Sequence, residues 1–293
     1  LRKLLFIINP RSGKKRSGHI IDVIKNKMPS SLSYEIQTWN NLEEFKLVEE
    51  KLQSGNYTDA IAVGGDGSVN LTGRTILNTG ITLGIIPAGS GNGLARTLGY
   101  SMKTEKALQQ IIEGKTEVID SGSVNGIPFF CTSGIGFDAH IGNLFANLPK
   151  RGLKAYIKII LKEFFSYKPR KYHLNINGEV LEETAFLITI ANAGQYGNDF
   201  YIAPRASLTD GLFHVVILKA PNLFSSFGFA LKALRRRTEK SKMVKTLVCR
   251  ELTVIREHDE CVHFDGEPDL MGKELHYKMH PHSLKVIVGK NLS

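Results

Sequence analysis

The segment Ala60-Ile61-Ala62-Val63-Gly64-Gly65-Asp66-Gly67-Ser68-Val69-Asn70 constrains this chain more than any other. Its short, continuous apolar run reads as a strand buried on both faces, the kind found in parallel sheets covered by helices. The run leads directly into three glycines within four residues, and then a hydroxyl residue where a helix should start. Glycines let the backbone turn sharply and approach a ligand, leaving N–H groups to meet phosphate oxygens. Ser68 is expected to cap the helix, whose N-terminus favours anions. Asp66 would repel a phosphate unless a divalent cation lay between them, so the economical order is Asp66, Mg²⁺, phosphate. The plainer alternative is a strand, turn and helix with Asp66 as a turn residue.

The pattern recurs. Ile85-Ile86-Pro87-Ala88-Gly89-Ser90-Gly91-Asn92-Gly93-Leu94-Ala95-Arg96 again runs from strand through glycines into a helix. Ser90 and Asn92 offer side-chain bonds there, and Arg96 offers a cation one turn into the helix. A third loop, Asn9-Pro10-Arg11-Ser12-Gly13-Lys14-Lys15, is basic and follows the apolar run Leu4–Ile8. Strand-like runs at Leu4–Ile8, Ala60–Val63 and Ile81–Ile86 alternate with helix-like stretches near 17–28, 41–53, 68–78 and 104–113. That alternation predicts a doubly wound α/β domain, with ligands beyond the carboxyl ends of its strands. Three anion-friendly loops at one sheet edge point to a nucleotide phosphate site. No GxxxxGK[ST] occurs, which excludes a Walker-type ATPase. Gly134-Ile135-Gly136-Phe137-Asp138-Ala139 imitates a dinucleotide fingerprint, but no acid occurs from 139 to 162 to hold a ribose.

Beyond about residue 123 the texture changes. Phe129–Thr132, Tyr172–Ile176, Ala185–Ala191, Leu212–Leu218, Leu247–Ile255 and Leu284–Val288 read as strands. Asn177-Gly178, Asp210-Gly211 and Asp265-Gly266 supply turns between them. Helical stretches near 139–147, 151–165 and 223–238 interrupt the strands. The expected organisation is an α/β nucleotide-binding domain over 1–122, then a mostly β, sandwich-like domain over 123–293. The last strand of the second has the option of returning to the first.

Composition narrows the class further. The chain has 293 residues, 42% of them hydrophobic, with 38 Lys+Arg against 28 Asp+Glu, a formal charge of +10. Such a chain buries a core without staples, and its basic balance suits nucleic acid, anionic lipid or phosphorylated ligands. Cys131, Cys249 and Cys261 make neither a disulfide framework nor a CxxC zinc pair, which fits a cytoplasmic protein. The longest apolar stretch, Leu212 to Leu231, is interrupted by His214, Lys219, Pro221 and Asn222, so no membrane-spanning segment is expected. The five-residue apolar run near the N-terminus is too short for a signal h-region and reads as a buried strand. Lys232, Arg235, Arg236, Arg237, Lys240, Lys242 and Lys245 cluster on and after an apolar helix, and Lys150, Arg151, Lys154, Lys158 and Lys162 lie along another. They suggest peripheral, reversible contact with an anionic membrane, the bland alternative being a solvated face. They lack interleaved aromatics, so no nucleic acid is expected. The histidines, including His173, His214, His263 and the pair His280-Pro281-His282, read as structural singletons.

Taken in order, Asn9-Pro10-Arg11-Ser12-Gly13, Gly64-Gly65-Asp66-Gly67-Ser68-Val69-Asn70 and Pro87-Ala88-Gly89-Ser90-Gly91-Asn92 resemble the diacylglycerol kinase catalytic-domain family. Gly134–Ala139, Ala203-Pro204-Arg205-Ala206 with Asp210-Gly211-Leu212, and Asp265-Gly266-Glu267 continue the resemblance along nearly the whole chain. That family includes bacterial soluble lipid kinases and the sphingosine and ceramide kinases. GGDG alone is shared with NAD kinases and phosphofructokinases; the full series is more specific. Ser68 stands where bacterial members usually have Thr, and Gly93 replaces an acid common in bacterial diacylglycerol kinases.

The resemblance implies transfer of the γ-phosphate of ATP to a lipid hydroxyl, on a diacylglycerol-like or sphingoid lipid, with Mg²⁺. It implies that Asn9, Pro10, Arg11, Ser12, Gly13, Thr38, Gly64, Gly65, Asp66, Gly67, Ser68, Asn70, Gly89, Ser90 and Asn92 hold the nucleotide. Asp66 would act on Mg²⁺ through water. Glu267, with Asp265 nearby, would accept the hydroxyl proton, a role given to the GGDG aspartate in sphingosine kinases. Asp138 would touch the substrate; from the residues themselves, Arg96 or Lys14 offers a cation that can hold phosphates, and Arg96 is expected on the substrate side. Ser207, Asp210 and Leu212 would hold a structural Mg²⁺, although Ser207-Leu208-Thr209 lacks the extra acid often found before Asp210. Expected partners are a lipid substrate and an anionic membrane surface, with a homodimer as an option. Two other readings stay open: an NAD-kinase-like phosphotransferase, and a catalytically idle module that binds nucleotide or acidic lipid.

Overall fold

The computed structural model describes every residue except 1, 13–16, 147–152, 177, 221–222 and 293. It divides into two compact units, Leu1–Ile119 with His282–Ser293, and Asp120–Pro281. No helix among the described residues is long and apolar enough to cross a membrane.

The first unit alternates strand and helix: β1 (Lys3–Ile8), α1 (Ser17–Lys27), β2 (Ser33–Thr38), α2 (Leu42–Ser54), β3 (Asp59–Gly64), α3 (Asp66–Ile76), β4 (Thr82–Pro87), α4 (Gly93–Thr97) and α5 (Thr104–Glu113). Its strands pair in parallel in the order β2-β1-β3-β4. β3 and β4 are buried at every position and β1 nearly so, because helices cover both faces. β1 lies between β2 and β3: the chain steps from β1 out to β2, then crosses back past β1 to β3 and on to β4, so the strand order reverses there. The crevice of a doubly wound sheet opens at such a point, and here the loops after β1 and β3 flank it.

β5 (Thr116–Val124) leads into the second unit, which continues with β6 (Ile127–Phe129), β7 (Thr132–Gly136), α6 (Phe137–Ala146), α7 (Leu153–Phe164), β8 (Arg170–Ile176), β9 (Glu179–Ala185), β10 (Leu187–Ala191), β11 (Phe213–Leu218) and α8 (Leu223–Leu234). After a short 3₁₀ turn come β12 (Val244–Cys249), β13 (Glu251–Arg256), β14 (Glu260–Phe264), β15 (Glu267–Met271) and β16 (Glu274–Ile287). The end of β16 lies in the first unit, where Val286 pairs with Leu83 of β4.

One antiparallel sheet of the second unit runs β12-β11-β10-β7-β14-β15, and β16-β13-β8-β9 pair antiparallel in another. Ile135, Ile188, Ile190, Val215 and Val262 from the first meet Tyr172, Leu174, Val254, Leu275 and Tyr277 from the second in one core. This is the packing of a β-sandwich. β10 and β11 are buried throughout because their alternate residues serve two cores. Ile188, Ile190, Val215 and Ile217 face the sandwich, while Leu187, Ala191, Val216 and Leu218 join a second cluster with Phe137 and Ile141 of α6 and Phe229 of α8.

Three apolar runs divide differently from the sequence expectation. Phe129–Thr132 is a break between β6 and β7, Ala185–Ala191 spans the end of β9 and all of β10, and Leu247–Ile255 becomes β12 and β13 in different sheets. A hydrophobic run records burial and not which sheet buries it. The Asn177-Gly178 turn falls on residue 177, outside the described residues.

Candidate active site

In the first unit the three glycine-bearing loops converge at the carboxyl ends of β1, β3 and β4. The Asn9 N–H donates to the Val63 carbonyl at 3.2 Å, and the Ala88 N–H to the Gly64 carbonyl at 2.8 Å, so each loop leaves its strand beside β3. Asn9 then organises its own turn. Its side-chain oxygen accepts from the Arg11 N–H at 3.0 Å, and its amide nitrogen donates to Ser68 Oγ at 3.4 Å. Ser68 is buried inside the first turn of α3 and is not its cap. That position is Gly65, with no side-chain hydrogen bond. The helix begins two residues earlier than expected because Asp66 and Gly67 already have helical geometry, leaving first-turn N–H groups without a side-chain acceptor at the cap.

Asp66 ties the loop after β3 to the loop after β4. Its Oδ2 accepts from the Asn92 N–H at 2.9 Å and its Oδ1 from the Gly93 N–H at 2.7 Å. Asn92 sits in the left-handed region at φ 53° and closes the loop further, accepting from the Gly89 N–H at 3.0 Å and donating to the Gly89 carbonyl at 2.9 Å. Arg96 donates from Nε to the Gly91 carbonyl at 3.1 Å. Ser90 is exposed at the loop tip and Arg11 is exposed in the loop after β1. Pro10 and Ser12 are half-buried, and Asn70 is buried within α3. Thr38 ends β2 opposite Ile8, exposed at the same sheet edge. Gly13 and Lys14 lie outside the described residues.

The two glycine loops touch backbone to backbone. A Cβ on Gly89 would stand 2.5 Å from Gly65 Cα, whereas one on Gly65 would stand 3.2 Å from Gly89 Cα. Backbone cannot yield as a side-chain tip can. Gly89→Ala is therefore expected to destabilise the chain by about 1–3 kcal/mol, read as a lower urea midpoint. Gly65→Ala should cost clearly less.

The second unit contains the remaining candidates, in separate groups. Asp265 and Gly266, at φ 52° and 86°, form the two-residue turn between β14 and β15. The Asp265 carboxylate accepts the N–H groups of Phe130 at 2.9 Å, Cys131 at 2.7 Å and Thr132 at 3.1 Å, bridging the break between β6 and β7. Glu267 is exposed at the start of β15, opposite Phe264. In the 207–212 loop, Asp210 Oδ1 accepts from the Leu212 N–H at 3.0 Å, and its Oδ2 lies 3.7 Å from His214 Nε2. Ser207 Oγ is 3.2 Å from Thr209 Oγ1. Buried Asp120 anchors the loop, accepting from the Gly211 N–H at 2.7 Å. Among the described residues no three His, Cys, Asp or Glu side chains gather as a metal cage.

Asp138 stands at the start of α6 in a polar cluster that sequence reasoning does not assemble. Its Oδ2 accepts from Tyr196 Oη at 2.8 Å and from Thr189 Oγ1 at 3.4 Å, and lies 3.1 Å from His263 Nε2. Thr189 and Tyr196 also bond to each other. His263 is buried, and its Nδ1 has no hydrogen-bond partner among the described residues. The imidazole is legible only as a lone histidine, because its partner is 125 residues away. A small clue is present: Gly134 opposes His263 across β7 and β14, where a Cβ would stand 2.4 Å from Asp138 Oδ2 and 2.5 Å from His263 Nε2.

Comparisons with known proteins cover both units. A family model for the diacylglycerol kinase catalytic domain matches residues 3–124. A second, for the YegS C-terminal NAD kinase β-sandwich-like domain, matches residues 132–288. A diacylglycerol kinase of Bacillus subtilis is 34% identical over 185 residues, 60% of this chain and 59% of that protein. A "Probable lipid kinase YegS-like" of Yersinia pestis is 27% identical over 281 residues, 92% of this chain and 93% of that protein. A solved diacylglycerol kinase structure from Bacillus anthracis superposes with a TM-score of 0.72 at 17% identity, covering 100% of this chain and 98% of that one, which bears on the fold alone. The chain spans 64% and 59% of the length of the first two curated relatives it matches. With an α/β nucleotide-binding domain that matches the diacylglycerol kinase catalytic domain over residues 3–124, the chain belongs to the family of the YegS C-terminal NAD kinase β-sandwich-like domain, whose model covers more than half of it.

Proposed function

We propose that this chain transfers the γ-phosphate of ATP to the hydroxyl of a diacylglycerol-like or sphingoid lipid. The observation that carries the reading is the convergence of the three loops at the carboxyl ends of β1, β3 and β4, where Asn9 meets Ser68 and Asp66 joins the strand-end glycines to the Asn92–Gly93 turn. The N-terminus of α3 carries no side-chain cap, and Gly65 and Gly89 let the two loop backbones meet beside it, an arrangement that suits phosphates. Asp66 supplies carboxylate oxygens, the hard donors that Mg²⁺ takes. The donor set therefore suits Mg²⁺, which keeps several waters and takes few protein ligands. Bound there, Mg²⁺ would neutralise charge on the phosphates. Asn9, Ser12, Ser68, Ser90 and Asn92 would orient the nucleotide, with Thr38 at the rim of the same edge. Arg96 would bring a guanidinium to the phosphates.

On this reading the first unit holds nucleotide and the second holds lipid. Glu267 would take the hydroxyl proton, Asp265 would hold the turn that presents it, and Asp138 would meet the polar end of the lipid. Asp210, with Ser207 and Leu212, would hold a structural cation. Exposed Lys158, Lys162, Arg235, Arg236, Arg237 and Lys240 favour contact with an anionic membrane. Lys150 and Arg151 lie outside the described residues, as does the side chain of Lys154.

The test incubates protein with Mg²⁺, γ-labelled ATP and a mixed-lipid panel in detergent micelles, with NAD in a parallel tube. Label in lipid is the expected result and names the substrate class. Label only in NAD would move the assignment to the nucleotide-acceptor chemistry that GGDG also serves. Label in neither would leave a nucleotide- or lipid-binding module.

A further inference from the structure

Helix α8 is apolar on two sides. Phe229 and Ala233 turn inward, Phe229 into the cluster shared with α6 and the outer face of β10 and β11. Phe227, Leu231 and Leu234 turn outward, at 69%, 37% and 56% exposure. Their spacing of four and then three residues places them on one stripe. Arg235 extends that stripe one turn beyond Leu231, its N–H bonded to the Leu231 carbonyl at 3.2 Å. Arg236 follows at φ 55°, its guanidinium 4.2 Å above the Tyr201 ring, and Arg237 is exposed beside it. The neighbouring acid, Glu239, is paired with Arg205 at 3.2 Å.

Cations at a helix C-terminus complement its dipole, so the arginines alone would need no further account. The dipole does not explain three large apolar side chains held in water along the stripe that leads to them. An apolar stripe ending in a cluster of cations is the pattern of a helix lying in a membrane interface, its side chains among acyl chains and its cations at the phosphates.

We infer that α8 docks on an anionic bilayer by inserting Phe227, Leu231 and Leu234, with Arg235 and Arg237 fixing it at the level of the lipid phosphates. The inference rests on the lipid-kinase reading only for why a bilayer would be met. It adds an apolar component to contact otherwise ascribed to charge. Charge-driven binding weakens as salt shortens the screening length, whereas insertion persists.

The full chain, without ATP, is floated with vesicles of phosphatidylcholine alone or mixed equally with phosphatidylglycerol, at about 0.1 M and about 0.5 M salt. The triple variant F227S/L231S/L234S should bind mixed vesicles at least about tenfold more weakly at both salts. The double variant R235Q/R237Q should lose about tenfold at the lower salt, with little difference at the higher one. Phe227→Trp keeps the apolar surface and adds a reporter, since the chain's one tryptophan, Trp39, is buried. Its emission should shift to the blue when mixed vesicles are added. Undiminished binding by the triple variant, or an unshifted emission from the F227W variant, would overturn the inference. So would a wild-type dimer in sedimentation that the triple variant turns into a monomer, because a second copy would then cover the stripe. Vesicle binding without label in any lipid would sink the kinase reading and leave the docking surface standing. Label in micellar lipid without vesicle binding would do the reverse.

Discussion

Asp66→Asn is expected to lower phosphoryl transfer by ~10³-fold or more while leaving the chain folded. Two effects add. The carboxylate joins the glycine turn after β3 to the N–H groups of Asn92 and Gly93, at 2.9 and 2.7 Å. An asparagine offers one acceptor for those two donors and turns its amide nitrogen on the other, costing about 1–3 kcal/mol of stability. It also removes the negative charge that would attract a metal-bound water. The first effect appears in a thermal melt and the second only in turnover, so the two measurements separate them. Asp66→Ala should lose both acceptors and melt lower than Asp66→Asn. A rate for Asp66→Asn within tenfold of the parent, on a chain that melts lower than the parent, would reduce Asp66 to a tie between loops.

The first unit's candidate site is legible in the sequence because it is local. Each loop carries its chemistry within a few residues of a strand end, and a buried strand followed by glycines has few other uses. The β3 loop and the β4 loop can each be read alone. Their joining through Asp66 cannot, because Asp66 meets the Asn92–Gly93 turn across 26 and 27 residues. The place of Ser68 is hidden for a related reason. A hydroxyl at a helix start resembles a cap, but here it lies in the first turn and meets Asn9, 59 residues away. In the second unit the useful pairings are longer still. Nothing near His263 in the chain announces Asp138. Arg250 separates β12 from β13 in what the sequence presents as one apolar run, and only the register of each with its own sheet shows where the run divides.

Asp265 and Glu267 look equivalent in sequence, two acids around one glycine, and their substitutions are expected to fail in opposite ways. Asp265 is a half-buried turn residue whose carboxylate holds three consecutive N–H groups at the break between β6 and β7. Hydrogen bonds to a charged group contribute about 1.5–3 kcal/mol each and are not additive, so Asp265→Ala should cost about 3–5 kcal/mol. Asp265→Asn should cost less, since asparagine tolerates the left-handed backbone and retains one acceptor. Glu267 is exposed, and Glu267→Gln should change stability by no more than about 0.5 kcal/mol. Its effect should fall on turnover, about 10²–10⁴-fold, if its carboxylate takes the proton from the lipid hydroxyl. Urea denaturation and label transfer on the same three variants give the answer. Loss of stability in Asp265→Ala with loss of rate alone in Glu267→Gln assigns one acid to the turn and the other to the chemistry. A Glu267→Gln variant that turns over normally would remove Glu267 from the reaction and leave Asp66 as the carboxylate to test as proton acceptor. In that case the Asp-Gly-Glu sequence would be a hairpin whose first residue alone has a demanding role.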